Sequence, residues 1–311
     1  MQPDFITYES AAEHLAWPDA VEALRSGHER ARAEIGDTFL GPDNGTMLNR
    51  AAYIEGLGYG MKSVTVFSGN AENGLPTVQG AMLVFDPTTG QLKAVVESRL
   101  ITEFKTAADS VLGAKLLARP DSRHLLIVGA GTVARSLINA YSAAMPGLAK
   151  ISVWARRAEQ AQSLAQQFDG HWPPVDVAQD LREACGLADI ISTATMAKEP
   201  ILKGQWVQPG THVDLIGAFK ANMREADDML IAKGSLFVDS RETTIGHIGE
   251  IMMPIAAGVI DETSIRGDFY DLIGKGINAR QSVDEVTIFK NGGGAHLDLM
   301  MATYIQDTLK K

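Results

Sequence analysis

Apolar positions over residues 8–35 recur at intervals of three and four. Ala20, Val21, Leu24, Ala31 and Ile35 fall on one stripe, which predicts helix. Ser10 and Glu13 have the spacing of a capping box, and Pro18 suits the first turn of a second helical segment over 19–35. The period then shortens. Runs at 46–53, 58–67, 80–85 and 92–97 partly alternate and are separated by Gly, Asn and Pro, the pattern of an antiparallel sheet. Asp86-Pro87-Thr88-Thr89-Gly90 supplies turn chemistry between the last two. One long helical segment follows over 100–117 and ends at Ala118-Arg119-Pro120-Asp121, a natural domain boundary.

Beyond residue 123 the period switches repeatedly. Strands at 124–128, 150–154, 188–192, 211–215 and 235–238 alternate with helices at 132–144, 157–168, 178–186 and 223–231. Such alternation predicts a doubly wound parallel sheet. Residues 242–286 are mixed and partly helical, and 287–290 form a short strand. Asn291-Gly292-Gly293-Gly294 is a hinge into a last helix over 295–309, which can return to the first domain. The expected fold class is therefore α/β. A Rossmann-type domain spans 120–294, and a discontinuous N-terminal α+β domain spans 1–119 and is completed by 295–311.

The richest stretch is Gly129-Ala130-Gly131-Thr132-Val133-Ala134, which fits G-x-G-x-x-G/A between a strand and a helix. Gly129 permits the tight turn, Gly131 admits a pyrophosphate to the backbone, Ala134 lets helix and strand pack closely, and the helix N-terminus favours the anion. A nicotinamide dinucleotide site follows from this context. Arg156 and Arg157 follow the second strand, and no Asp or Glu occupies 154–157. Arginines there accommodate a 2′-phosphate, so NADPH is preferred and NADH possible. Thr195 and Met196 follow the 188–192 strand at its carboxyl end, where open α/β sheets bind ligands.

Charge and composition narrow the partners. A net charge of −10 argues against nucleic acid, which needs a basic face. No apolar run reaches the roughly 18 residues of a membrane span, and Met1-Gln2-Pro3-Asp4 has no signal-peptide character. The lone Cys185 forms no internal disulfide, which fits the cytoplasm, and inside a helix at 180–187 it reads as a small buried hydrophobe. His14, His28, His124, His171, His212 and His247 show no metal-ligand spacing, and no G-x-S-x-G, P-loop or Cys pair occurs. His296 and Asp298 are only a common His-x-Asp, and Asp298 reads as an acid placed near a helix macrodipole. Lys62, in Gly60-Met61-Lys62-Ser63, stands out in an apolar strand, because a buried ammonium must be paired or functional.

Five collinear segments, GYGMKSV, ITEFKTAADSVLGAKLLARPDSRHLLIVGAGTVARS, DIISTATMAKEPIL, VDLIGAFKANMREAD and TIFKNGGGAHLDL, are similar to the ornithine cyclodeaminase/μ-crystallin family. The resemblance runs from about residue 45 to the C-terminus. It implies a homodimer joined through the N-terminal sheet, with a nicotinamide held by the Rossmann domain. It implies that Arg50 binds a substrate carboxylate, for which a guanidinium fork is suited, and that Lys62 lies beside the reacting carbon, where it donates a proton to the imine nitrogen or polarises the substrate. Ile216 and Asn291 match positions lining the cofactor cleft. Two residues depart from the pattern. Lys105 stands where arginine is usual, keeping the charge at a substrate-binding position but losing the planar fork. Phe219 stands where cyclodeaminases carry aspartate, and it can neither accept a proton nor pair with an ammonium. The resemblance thus implies an NAD(P)H-dependent reductase of a small cyclic 2-imino acid, Δ1-pyrroline-2-carboxylate giving L-proline, with the piperideine analogue as a second substrate. A cyclodeaminase or alanine-type dehydrogenase, and a non-catalytic NADPH-binding protein, are the alternatives.

Overall fold

The computed structural model describes residues 2–42 and 44–310. The chain divides into two compact units, Met1–Ala108 with Gly294–Lys311, and Asp109–Gly293. The first division lies inside the helix Ser98–Leu117, and the second lies within the glycine run.

The first unit is built on a six-stranded sheet. Its strands are β1 (Asp4–Ile6), β2 (Glu34–Leu40), β3 (Thr46–Ile54), β4 (Gly58–Val66), β5 (Val78–Phe85) and β6 (Leu92–Glu97), in the order β1-β6-β5-β4-β3-β2. β1 joins β6 in parallel and the other pairs are antiparallel. Asp86 closes the β5–β6 turn by accepting the amides of Thr88 and Thr89 at 3.0 and 2.8 Å. The helix Ala295–Leu309 packs on strands β2–β5 and against the helix Trp17–His28. Gly60 permits this approach, since a Cβ there would lie 2.9 Å from Leu299 Cδ1. Leu297, Met301 and Ile305 on one helix and Ala20, Val21 and Leu24 on the other are buried. The opposite face of the sheet leaves Met47 and Tyr59 exposed.

The helix expected over 8–35 is only partly present. A short helix covers Tyr8–Ala11, another covers Trp17–His28, and Glu34–Leu40 is the edge strand β2. Pairing with β3 in a seven-residue antiparallel register overrides the helical spacing at Ile35. The capping box is formed by Thr7 and Ser10, not by Ser10 and Glu13.

The second unit carries eight strands, all paired in parallel. They are β7 (His124–Val128), β8 (Lys150–Trp154), β9 (Val175–Val177), β10 (Ile190–Thr193), β11 (His212–Leu215), β12 (Ser235–Val238), β13 (Ile265–Gly267) and β14 (Thr287–Lys290). The order β13-β12-β14-β11-β10-β7-β8-β9 reverses direction between β7 and β10, the crevice where doubly wound sheets take ligands. The three-residue strands β9 and β13 are too short to show a period. Helix starts shift where an acid caps: Asp180 accepts the Glu183 amide ahead of Leu181–Leu187, and Asp227 accepts the Leu230 amide ahead of Asp228–Lys233.

Ile191 is fully buried in β10, in register with Leu126 of β7 and Val213 of β11. Ile191→Ala should cost about 2–5 kcal/mol through lost burial and a residual cavity. Urea unfolding checks this, and a loss below about 1 kcal/mol would mean that the site collapses around the smaller side chain.

Candidate active site

In the first unit the β-ladder sets the chemistry. Asp37, Arg50, Lys62 and Met82 are directly opposed across β2, β3, β4 and β5, so they form one row on the face covered by the helix Ala295–Leu309. Arg50 donates to Asp37 Oδ2 from Nε at 3.0 Å and lies 2.9 Å from it through Nη2. Lys62 Nζ reaches both carboxylate oxygens of Asp298 at 2.8 Å. Lys105 Nζ, from the helix Ser98–Leu117, lies 3.5 Å from Asp298 Oδ1. Asp298 is fully buried, and both lysine side chains are nearly so. One carboxylate therefore serves two ammonium groups.

Electrostatics follow from this arrangement. Burial pulls Lys62 down to about 8, against the attraction of Asp298 and with the help of repulsion from Lys105. Burial pushes the Asp298 carboxyl up, but Lys105, Lys62 and Arg50 outweigh it and hold it at about 2. His296 is buried edge-on to His28 with centroids 5.4 Å apart, and burial, followed by repulsion from His28 and Lys105, keeps it well below its usual value.

The second unit presents a cradle at the carboxyl ends of β7, β10 and β11. Gly129 adopts φ +128°, and a Cβ there would lie 2.5 Å from the Ala194 carbonyl oxygen. Gly131 caps the thirteen-residue helix Thr132–Ala144 without a side-chain bond, and a Cβ on it would meet open space. Ala134 is fully buried. A loop that tolerates no side chain at its turn, next to an uncapped helix N-terminus, fits a pyrophosphate. Glu225 braces this edge. It accepts from Thr193 Oγ1 at 2.8 Å, from the Thr195 amide and hydroxyl at 2.7 Å, and from the Gly217 amide at 2.6 Å.

Residues 35–311 match the profile of the ornithine cyclodeaminase/mu-crystallin family. The chain belongs to this family. A relative in Paracoccus denitrificans, Delta(1)-pyrroline-2-carboxylate reductase, is 65% identical over 303 residues, covering 97% of this chain and 96% of its own. Ketimine reductase mu-crystallin of Rattus norvegicus is 34% identical over 79% of this chain and 75% of its own. Among solved structures, Thermococcus litoralis Delta(1)-pyrroline-2-carboxylate reductase in complex with NADH and L-proline superposes with a TM-score of 0.91. It is 28% identical and covers 98% of this chain and 97% of its own.

Against this family frame, the structure gathers Arg50, Lys62 and Lys105 into one cluster of the first unit. It sets Gly129, Ala130, Gly131, Thr132 and Val133 on the β7 loop and the following helix of the second. Arg156 and Arg157 are exposed just past β8. Thr195, Ile216 and Asn291 follow β10, β11 and β14, and Met196 beside Thr195 is 72% exposed. Thr195 spends its amide and hydroxyl on Glu225, and Asn291 Nδ2 donates to Ser110 Oγ at 3.0 Å. Phe219 is half exposed, with Lys220 Nζ 5.5 Å from its ring. Asp298 does lie in the first turn of its helix, but it is a buried counter-ion rather than an acid serving only the macrodipole. The signal available was its setting in Ala295-His296-Leu297-Asp298-Leu299-Met300-Met301, where an acid inside an apolar run demands a cation. Cys185 is buried in its helix and its thiol is pushed up to about 12, first by burial. Among the described residues, no group of three or more His, Cys, Asp or Glu is placed to hold a metal.

Two further buried acids of the second unit titrate high. Asp214 on β11 accepts from Ser192 Oγ at 2.6 Å, yet burial pushes it up to about 7. Burial, then repulsion from Glu225, pushes Glu250 up to about 7 as well. A carboxyl whose folded pKa lies above its unfolded one favours folding fully below the unfolded value, and that contribution is lost as pH rises from there to the folded value. Asp214→Asn, which mimics the protonated form, should therefore leave stability below about pH 4 almost unchanged and flatten the decline between about pH 4 and 7. Urea midpoints across that range decide it, and parallel curves for the two proteins would rule it out.

Proposed function

We propose that this protein is an NAD(P)H-dependent reductase of a small cyclic 2-imino acid, converting Δ1-pyrroline-2-carboxylate to L-proline, with the six-membered piperideine analogue as a second substrate. The observation that carries this is the buried Lys62 ammonium, fixed at 2.8 Å by Asp298 on the same sheet row as Arg50. The 65% identical reductase, which spans nearly all of both chains, supports it.

The chain's residues divide the work. Arg50, its guanidinium oriented by Asp37, and Lys105 bind the substrate carboxylate. A bound reduced nicotinamide supplies the hydride that forms the new C–H bond at the imine carbon. Lys62 gives the proton that the C=N electron pair takes up at nitrogen, and it regains one from solvent. A group at about 8 is charged at neutral pH and still a competent donor. Phe219, in place of the aspartate of the family's cyclodeaminases, can neither accept a proton nor pair with an ammonium, which speaks against cyclodeamination.

Gly129 to Val133 hold the pyrophosphate, and Thr195, Met196, Ile216 and Asn291 line the rest of the cofactor site. Arg156 and Arg157 favour NADPH over NADH. The exposed face of the six-stranded sheet, with Tyr59 and Met47, joins two copies into a homodimer. The archaeal alanine dehydrogenase dimer with bound NAD, a structural neighbour at TM-score 0.92 and 27% identity over 100% of this chain and 97% of its own, supports that assembly. Among the described residues no helix is long and apolar enough to cross a membrane, and the buried lone Cys185 fits a cytoplasmic setting.

NADPH oxidation by the purified protein should be fast with Δ1-pyrroline-2-carboxylate and negligible with pyruvate plus ammonia. The reverse result would replace the reading with an amino-acid dehydrogenase. Lys62→Met should lower kcat by roughly 100-fold or more while leaving the Kd for NADPH, read by fluorescence, unchanged. Undiminished turnover would remove Lys62 from the chemistry. Replacing Arg156 and Arg157 together by Ala should raise KM for NADPH about tenfold with little effect on NADH. Equal effects on both cofactors would refute the 2′-phosphate assignment.

A further inference from the structure

We infer that Asp298 is a positioning residue for the reduction: by sharing one carboxylate between Lys62 and Lys105 it keeps Lys62 protonated and aimed along the substrate row. This rests on the reading of Lys62 as the proton donor. The geometry carries it. Lys62 Nζ contacts both oxygens of Asp298 at 2.8 Å, and Lys105 Nζ approaches one of them at 3.5 Å. Two cations on one carboxylate are held close together in a desolvated interior.

The charges facing Lys62 come from every element around it. β3 brings Arg50, which Asp37 of β2 engages. The helix Ser98–Leu117 brings Lys105, and the helix Ala295–Leu309 brings Asp298 and His296. The helix Trp17–His28 brings His28, against the ring of His296. His296 is held neutral, so Asp298 is the negative charge bonded to Lys62. Deleting that charge leaves Lys62 buried among cations. A buried ammonium in such surroundings sheds its proton instead of remaining charged. Lys105 acts in the opposite sense, because its repulsion favours the neutral amine.

The two neighbours therefore tune one group in opposite directions, which a packing role does not do. In cofactor-free protein carrying isotope-labelled lysine, the resonance missing from Lys62→Met reports Lys62. Its titration midpoint, near 8 in the native protein, should fall by about one pH unit or more in Asp298→Asn. It should rise in Lys105→Met, and Asp298→Glu should restore most of the loss. The alkaline limb of kcat with NADPH and Δ1-pyrroline-2-carboxylate should move in the same order. An unmoved midpoint in Asp298→Asn overturns the inference. If that variant does not fold, Lys105→Met decides alone, and an unchanged or lowered midpoint there overturns it. A native protein silent toward every imine would defeat the reductase reading, while the resonance titration would still decide the pairing.

Discussion

A carboxylate shared by two ammonium groups in a desolvated interior is the constraint on which the first unit depends. Each buried ion costs several kcal/mol to strip of water, and removing one partner of such a set costs about 3–5 kcal/mol because the others stay uncompensated. The outcome differs by partner. For Asp298 attraction wins and the carboxyl titrates at about 2. For Lys62 desolvation wins in part and the ammonium titrates at about 8. A lysine that is charged yet close to releasing its proton is the product of that imbalance. It persists only while the helix Ala295–Leu309 stays seated on the sheet, which the bare backbone at Gly60 makes possible.

The second unit solves a comparable problem with Glu225. Its carboxylate ties the ends of β10 and β11 through Thr193, Thr195 and Gly217, and Glu250 in turn accepts the amides of Glu225 and Ala226 at 2.7 and 2.9 Å. A Cβ at Gly217 would lie 2.0 Å from the Thr195 carbonyl oxygen, so the two loops are held backbone to backbone. Lys290 adds a fixed cation, donating to the carbonyls of Leu215, Ile216 and Asn291 at 2.7, 3.3 and 2.8 Å. The ligand-facing edge of the sheet is rigid for electrostatic as well as apolar reasons.

Much of this was readable in the residues, for identifiable reasons. The second unit's long helices and buried apolar strands carry strong periodicity, so 124–128, 132–144, 150–154 and 235–238 stand where the pattern puts them. The phosphate loop was readable because its glycines have a steric reason that is local in sequence. Edge strand β2 was not, because its partner and not its own period makes it a strand. Lys62 announced itself as a misplaced charge. Asp298 did not, since the cations that explain it lie far away in the sequence.

That distance bears on how the protein comes into being. Lys62 and Asp298 are separated by 236 positions, with the whole second unit between them. At a ribosomal rate of about 5–20 residues per second, the strand bearing Lys62 waits roughly 10–50 seconds for its counter-ion. During that interval the sheet leaves an apolar face uncovered, and Lys62 and Lys105 stay hydrated until Asp298 arrives to pair with them. The nucleotide-binding unit is complete earlier and can fold on its own schedule. The discontinuous unit is therefore the late step in biogenesis, when the nascent protein has most need of a chaperone.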